Sequence, residues 1–165
     1  MYEEVMLLEN YSGKHRAAVS EYFAEFTEAG ENAREDVYGG FSYTFLYLRE
    51  SDGRLTGMLN IRQDETAAEF GNIGYSVRPS ERRKGYGTQL VEAAIELCKM
   101  FGIESPTAYT AEDNYASIRV LVKNGFVRIG KENGSGVGSG EEEGGENSGK
   151  GLAAFVLKGG SEDTG

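Results

Sequence analysis

Apolar and polar positions change period several times along the 165 residues. Val5 to Leu8 is a short apolar run that reads as a strand. From Lys14 to about Ala29, Ala18, Val19, Tyr22, Phe23 and Phe26 fall on one helical face while Glu21, Glu25 and Glu28 lie elsewhere, which predicts a core-packing helix. Glu31 to Ser42 is a polar connection. Tyr43 to Glu50 alternates aromatic and apolar residues, Leu55 to Gln63 does so less regularly, and Ser51-Asp52-Gly53 between them predicts a hairpin turn. Asp64 to Glu69 reads as a further polar turn. Phe70 to Val77, closed by Pro79, is the third strand of this meander. By parity it shows Ile73, Tyr75 and Val77 on one face and Asn72, Gly74 and Ser76 on the other.

The second half has the stronger helical signal. Leu90, Val91, Ala94, Ile95, Leu97, Cys98 and Phe101 predict a helix from Thr88 to Phe101, with Gly102 as its stop. Glu104 to Ala111 reads as a strand. Pro106 cannot donate to a ladder, so poor pairing is expected near its start. Asp113 or Asn114 caps the next helix, which carries Ile118, Val120, Leu121 and Val122 and ends at Asn124-Gly125. Strands follow over Phe126 to Lys131 and Leu152 to Lys158. Half of the 24 glycines lie from Gly130 onward, with Glu141-Glu142-Glu143 among them. Residues 133–151 hold too little apolar surface to offset their ordering entropy and read as a flexible loop within the last hairpin. Gly159 onward is a frayed tail. The length suits one domain, of a mixed α/β class.

Charge narrows the chemistry. A formal net charge of −10 argues against a nucleic-acid or anionic-membrane partner. A single cysteine suits a reducing compartment, and Cys98 on an apolar helix face reads as core. The lone histidine, His15, has no acidic or cysteine partner at ligand spacing, so no metal site is expected. No basic leader or apolar run of spanning length occurs, and a cytoplasmic location is the expectation.

Against that acidic background stands one basic cluster, Arg82-Arg83-Lys84-Gly85-Tyr86-Gly87. It lies between the third strand and the long helix. A strand, a glycine turn and a helix N-terminus together bind anions, because first-turn amides and the positive dipole end converge on one spot. The glycines let the backbone approach a phosphate. No Gly-Lys-Ser/Thr follows, and the glycine spacing is not that of a dinucleotide fingerprint. A pyrophosphate is an anion this turn would suit, and a solvated basic turn with two ordinary glycines is the alternative reading.

Arg82-x-x-Gly85-x-Gly87 opening an amphipathic helix resembles the acetyl-CoA pyrophosphate loop of the GNAT superfamily of N-acetyltransferases. A second block, Asn114-Tyr115-Ala116-Ser117-Ile118 followed by Lys123-Asn124-Gly125-Phe126, is similar to that family's later helix. The resemblance spans about Leu55 to Lys131. It implies a largely antiparallel sheet flanked by helices, with splayed central strands and acetyl-CoA as co-substrate. The acceptor it implies is a primary amine of a small molecule or peptide. It further implies that the amides of Arg83, Lys84, Gly85, Tyr86, Gly87 and Thr88 bind the pyrophosphate, with charge added by Arg82, Arg83 and Lys84. The backbone of Tyr75, Ser76 and Val77 would run beside the pantetheine, a backbone N–H near Val77 would meet the oxyanion, and Asn114 would bond a pantetheine amide with Ser117 close by. Tyr38 and Phe41 fall where relatives wall the acceptor pocket, although packing or turn roles are the simpler reading.

Proton handling departs from the pattern. Where many relatives carry a tyrosine, seven residues after the helix Asn, this chain has Leu121; near the position of a strand glutamate it has Asn72. Tyr109 or Tyr115 as acid and Glu69 as the nearest carboxylate are the candidates for catalysis. These gaps keep open an acyl-CoA-binding sensory module without turnover, or a partner-binding domain using the acidic loop. The acceptor's identity and the oligomeric state carry no signature.

Overall fold

The computed structural model describes residues 16–31, 42–63, 65–130 and 151–159. The expected first strand (Val5 to Leu8), His15, Tyr38, Phe41, the body of the glycine-glutamate loop and the tail beyond Gly159 lie outside these residues. The first described element, α1, is Arg16–Glu28, with Val19, Tyr22 and Phe26 buried as the helical spacing requires. β1 (Ser42–Leu48) and β2 (Leu55–Arg62) form the expected antiparallel hairpin, and Gly53 in the turn has φ 68°.

Residues 65–70 correct the expected polar turn. They form a short helix, α2 (Glu65–Phe70), from the helix formers Glu65, Ala67, Ala68 and Glu69, and Gly71 donates its N–H to Ala67 O to end it. The next strand, β3, therefore starts later than expected and runs Ile73–Val77. It pairs antiparallel with β2 in the register Leu59 to Tyr75 and Ile61 to Ile73. A single 3-10 turn (Pro79–Glu81) leads to α3 (Tyr86–Met100). β4 (Thr107–Ala111), α4 (Tyr115–Lys123), β5 (Val127–Ile129) and β6 (Leu152–Val156) complete the chain.

The sheet order is β1-β2-β3-β4-β6-β5, antiparallel except at β3–β4. Its two faces are covered by different helices. α3 buries Leu90, Val91, Ala94, Leu97 and Cys98 against Phe45, Tyr47, Leu59, Ile61 and Ile73, with Leu121 and Phe126 in the same core. Each such aliphatic side chain stabilises by about 1.5–3 kcal/mol. α3 sits close because Gly57 lies beneath it; a Cβ there would come within 2.7 Å of Leu90 Cδ1. On the opposite face Val19, Tyr22 and Phe26 of α1 pack on Leu46, Leu55 and Met58. The face parity expected for β3 holds: Ile73, Tyr75 and Val77 join the α3 core, while Gly74 meets Arg62 and Ser76 meets Tyr22.

Candidate functional site

β3 and β4 touch through one parallel ladder pair, Ile73 with Ala108, and then diverge. The split is therefore not where Pro106 suggests. β4 is paired to β6 from Thr107 to Ala111, and its contact with β3 is at its start rather than missing there. Asn72 is the reason. Its side-chain carbonyl accepts the Thr107 N–H (3.0 Å) and the Thr107 hydroxyl (3.1 Å), its own N–H donates to Thr107 Oγ1 (3.2 Å), and its Nδ2 donates to Arg62 O (3.1 Å). This clasp closes one end, and the strands separate beyond it.

The open side of β3 presents backbone groups that β4 does not pair, of which the Val77 carbonyl accepts the Arg82 Nε–H (3.3 Å). Arg62 N–H donates to Asn72 O and Arg78 N–H to Thr56 O. Ladder alternation then turns Gly74 and Ser76 toward β2 and directs the N–H and C=O of Tyr75 and Val77 into the gap. A cleft of about 350 Å³ runs through this gap, lined on the α1 face by Phe23, Thr44, Asn60, Gly74 and Ser76 and on the α4 side by Tyr75, Asn114 and Ser117.

The pyrophosphate-type turn sits at the N-terminus of α3. Gly85 is its N-cap at φ 85°, a left-handed angle that glycine takes without a Cβ penalty, and it offers no side-chain cap. Among the described residues the N–H groups of Tyr86, Gly87 and Thr88 have no backbone or side-chain acceptor. Gly87 has an ordinary helical angle, unlike Gly85, and a Cβ there would lie 3.5 Å from Val120. Arg83, a residue with a Cβ, takes the second left-handed angle (φ 64°), which nothing in its side chain announces.

The cations of the turn are not equivalent. Arg82 grips Glu31 with both terminal nitrogens (2.5 and 2.9 Å), donates Nε–H to Val77 O (3.3 Å) and lies over the Phe26 ring. The Arg82 guanidinium lowers the Glu31 pKa, and Glu31 raises that of Arg82. Lys84 pairs with Glu81 (2.8 Å). Arg83 is exposed and makes no such contact among the described residues. Glu81, 4% exposed, also receives Arg49 and Arg54 at 2.8 Å each, and the Lys84 hydrogen bond leads in lowering its pKa. Glu25 of α1 bonds Arg78 and the Ser80 N–H. Although partial burial opposes it, these hydrogen bonds hold the Glu25 carboxyl down to about 2. Two carboxylates thus anchor the turn from beneath, a network that charge counting missed because its partners are up to 55 positions apart.

The remaining site residues separate. Asn114 is the N-cap of α4, accepting the Ser117 N–H at 3.1 Å, and both line the cleft. The Tyr75 hydroxyl reaches Ser117 Oγ at 2.7 Å, and burial raises its pKa. Ser76 lies on the other face, where the Tyr22 hydroxyl meets its carbonyl and its Oγ, both at 2.8 Å; burial raises the Tyr22 pKa far. Tyr109 lines the cleft with its hydroxyl 3.5 Å from Ala68 O on α2. Tyr115 is 71% exposed and Glu69 exposed, and neither lines the cleft. Leu121 is buried in the core, and Cys98 is fully buried with its thiol pushed up to about 11 by desolvation. No group of three or more metal-type side chains occurs among the described residues, and none of their helices is long and apolar enough to cross a membrane.

Solved structures share this fold. The acetyltransferase of GNAT family from Streptococcus pneumoniae superposes with a TM-score of 0.62 at 18% identity, over 95% of this chain and 100% of that one. The ribosomal-protein-S5-alanine acetyltransferase from Vibrio fischeri gives 0.63 at 15%, over 96% and 98%. A ribosomal L7/L12 α-N-protein acetyltransferase in complex with coenzyme A gives 0.53 at 17%, over 88% and 72%. Curated protein sequences give no match. The model of the Acetyltransferase (GNAT) family matches residues 12–126, which takes in α1, the split strands and the glycine turn alike. With most of its length matched in this way, the chain belongs to the GNAT family of acetyltransferases.

Proposed function

We propose that the protein is a single-domain, acetyl-CoA-dependent N-acetyltransferase acting on a primary amine of a small molecule or peptide. The observation that carries this reading is the split between β3 and β4 beside an α3 N-terminus whose first-turn amides are open. The residues fit the co-substrate. The amides of Gly85 to Thr88 and the Arg83 side chain would hold the pyrophosphate, and the gap-facing backbone of Tyr75 and Val77 would bond the pantetheine as an added strand. Asn114 would offer Nδ2–H to a pantetheine amide. Arg82 and Lys84 would reach the phosphates by exchanging Glu31 and Glu81 for them.

When bound, acetyl-CoA supplies an activated acetyl group. The Val77 N–H would stabilise charge on the carbonyl oxygen in the transition state. The acceptor would enter from the α1 face, past Phe23 and Thr44. Among the described lining residues there is neither carboxylate nor histidine, so the amine reaches the carbonyl neutral and gives its proton to water. A rate that rises with pH through the amine's own titration follows from this.

The test is a thermal shift with acetyl-CoA, on the wild type and on Gly87→Glu. Ligand at 100 times its Kd stabilises by about 2.7 kcal/mol, a midpoint rise of roughly 5–10 °C. A rise in the wild type that is absent from a Gly87→Glu protein of unchanged unliganded midpoint supports the pocket. No rise in the wild type sinks the reading. Turnover is then read on a panel of alanine- and serine-terminated peptides, spermidine and small amino acids. Binding without turnover on any of them favours a sensory module.

A further inference from the structure

We propose that Tyr75 is the proton donor of this cleft: its hydroxyl, held by Ser117, protonates the thiolate that leaves during acyl transfer. The inference rests on the acetyl-CoA reading and names a residue for a step that reading leaves without one.

The step needs a donor. The amine lone pair forms the C–N bond, the carbonyl re-forms, and the C–S bond breaks with its electron pair going to sulfur. The Tyr75 O–H proton passes to that sulfur. The tyrosinate regains a proton through Ser117 Oγ from water, which has taken one from the ammonium nitrogen. Amine and thioester become amide and thiol with no net proton change.

The lining of the cleft restricts the choice. Its titratable groups, among the described residues, are Arg62, Tyr75 and Tyr109. A guanidinium does not give up its proton in this range. The phenols lie on opposite faces of the sheet. Ala108 belongs to the α3 core, so its neighbour Tyr109 points the other way, where its hydroxyl meets Ala68 of α2. Tyr75 shares the face of Ile73 and Val77, toward α3 and α4. That is also the side of the open α3 amides: Gly87 lies between Val77 and Val120. A chain threaded from those amides into the gap along this face would bring its sulfur to the Tyr75 side and leave Tyr109 to the acceptor.

Ser117 sets the donor in place. Its N–H is fixed by the Asn114 cap (3.1 Å), and its hydroxyl meets that of Tyr75 at 2.7 Å. One turn further along the same face of α4 stands Leu121, 1% exposed and without a hydroxyl. The strand supplies from β3 what the helix lacks. Burial raises the Tyr75 pKa, so the phenol stays protonated at neutral pH.

The test sets coenzyme A against desulfo-coenzyme A, both titrated calorimetrically at pH 9 into wild type, Tyr75→Phe and Ser117→Ala. Tyr75→Phe is expected to weaken coenzyme A about tenfold, the loss of one hydrogen bond to a charged acceptor. Desulfo-coenzyme A should stay within about twofold. On the best amine of the panel, kcat should fall about 100-fold with acetyl-CoA affinity unchanged. Equal losses for the two ligands, or a kcat within about threefold of wild type, overturn the assignment. A wild type that binds neither ligand instead removes the acetyl-CoA reading beneath it. Should Tyr75→Phe not fold, 3-fluorotyrosine at position 75 keeps the ring and acidifies the phenol. The basic limb of kcat must then move to lower pH, and an unmoved limb overturns the assignment.

Discussion

Asn72 and Thr107 close on each other through three hydrogen bonds, from 3.0 to 3.2 Å, at the point where β3 and β4 last run together. A residue that cannot act as a base thus has a different task, holding the shut end of a wedge whose other end is open. Asn72→Ala leaves the Thr107 N–H without its acceptor and should cost about 1–3 kcal/mol in urea unfolding. Because the gap is set from this end, acetyl-CoA affinity should fall as well. An unchanged affinity with reduced stability would confine the clasp to folding.

The glycines of the turn should answer differently to the same change. Gly85→Ala forces a Cβ into a left-handed angle and should destabilise by about 1–2 kcal/mol. Gly87→Ala has room beside Val120 and gains helix propensity, so the unliganded midpoint should hold or rise. A melting comparison of the two proteins checks this.

Glu31 competes for a cation the phosphates would use. Glu31→Gln frees Arg82 from its two-pronged partner, and acetyl-CoA affinity should rise about two- to fivefold at low salt. The gain should shrink in high salt, where such exposed pairs are screened. Calorimetry at two salt concentrations reads both effects.

Acid stability should depend on Glu25. Its folded pKa of about 2 lies below the ordinary 4.5, so its contribution is complete above about pH 4.5 and is lost as pH falls toward 2. Glu31 and Glu81 are lowered too and act in the same direction. Midpoints measured from pH 6 to pH 2 should fall, and Glu25→Gln should flatten the fall.

Leu121→Tyr would restore the aromatic many relatives carry at this helix position, but the site is packed. The substitution should destabilise by about 1–3 kcal/mol and leave kcat no higher.

Local patterns made much of this fold legible. The spacing of Leu90, Val91, Ala94, Leu97 and Cys98 gave α3, strand parity separated Tyr75 from Ser76, and the two motif blocks placed the turn and the Asn114 cap. Most of what escaped depends on residues far apart in the chain. Asp64 to Glu69 looked like a turn, and Phe70 like the start of a strand, because a six-residue helix is too short to show a period. Pro106 pointed to the wrong end of the split, since the Asn72 clasp outweighs a missing donor. The anchoring of the basic turn by Glu25, and of Glu81 by Arg49 and Arg54, left no local trace. Nor did the meeting of Tyr75 with Ser117, 42 positions away.

Cys98 has a use at the bench. Its side chain is shut inside the α3 core and burial pushes its thiol up to about 11, so the folded protein offers nothing to a thiol-reactive dye at neutral pH. Any coenzyme A freed in the proposed acetyl transfer can then be followed continuously with such a dye, without background from the folded protein. When the chain unfolds, the same sulfur becomes the signal, one equivalent per molecule, and the purified protein carries its own label for denaturation.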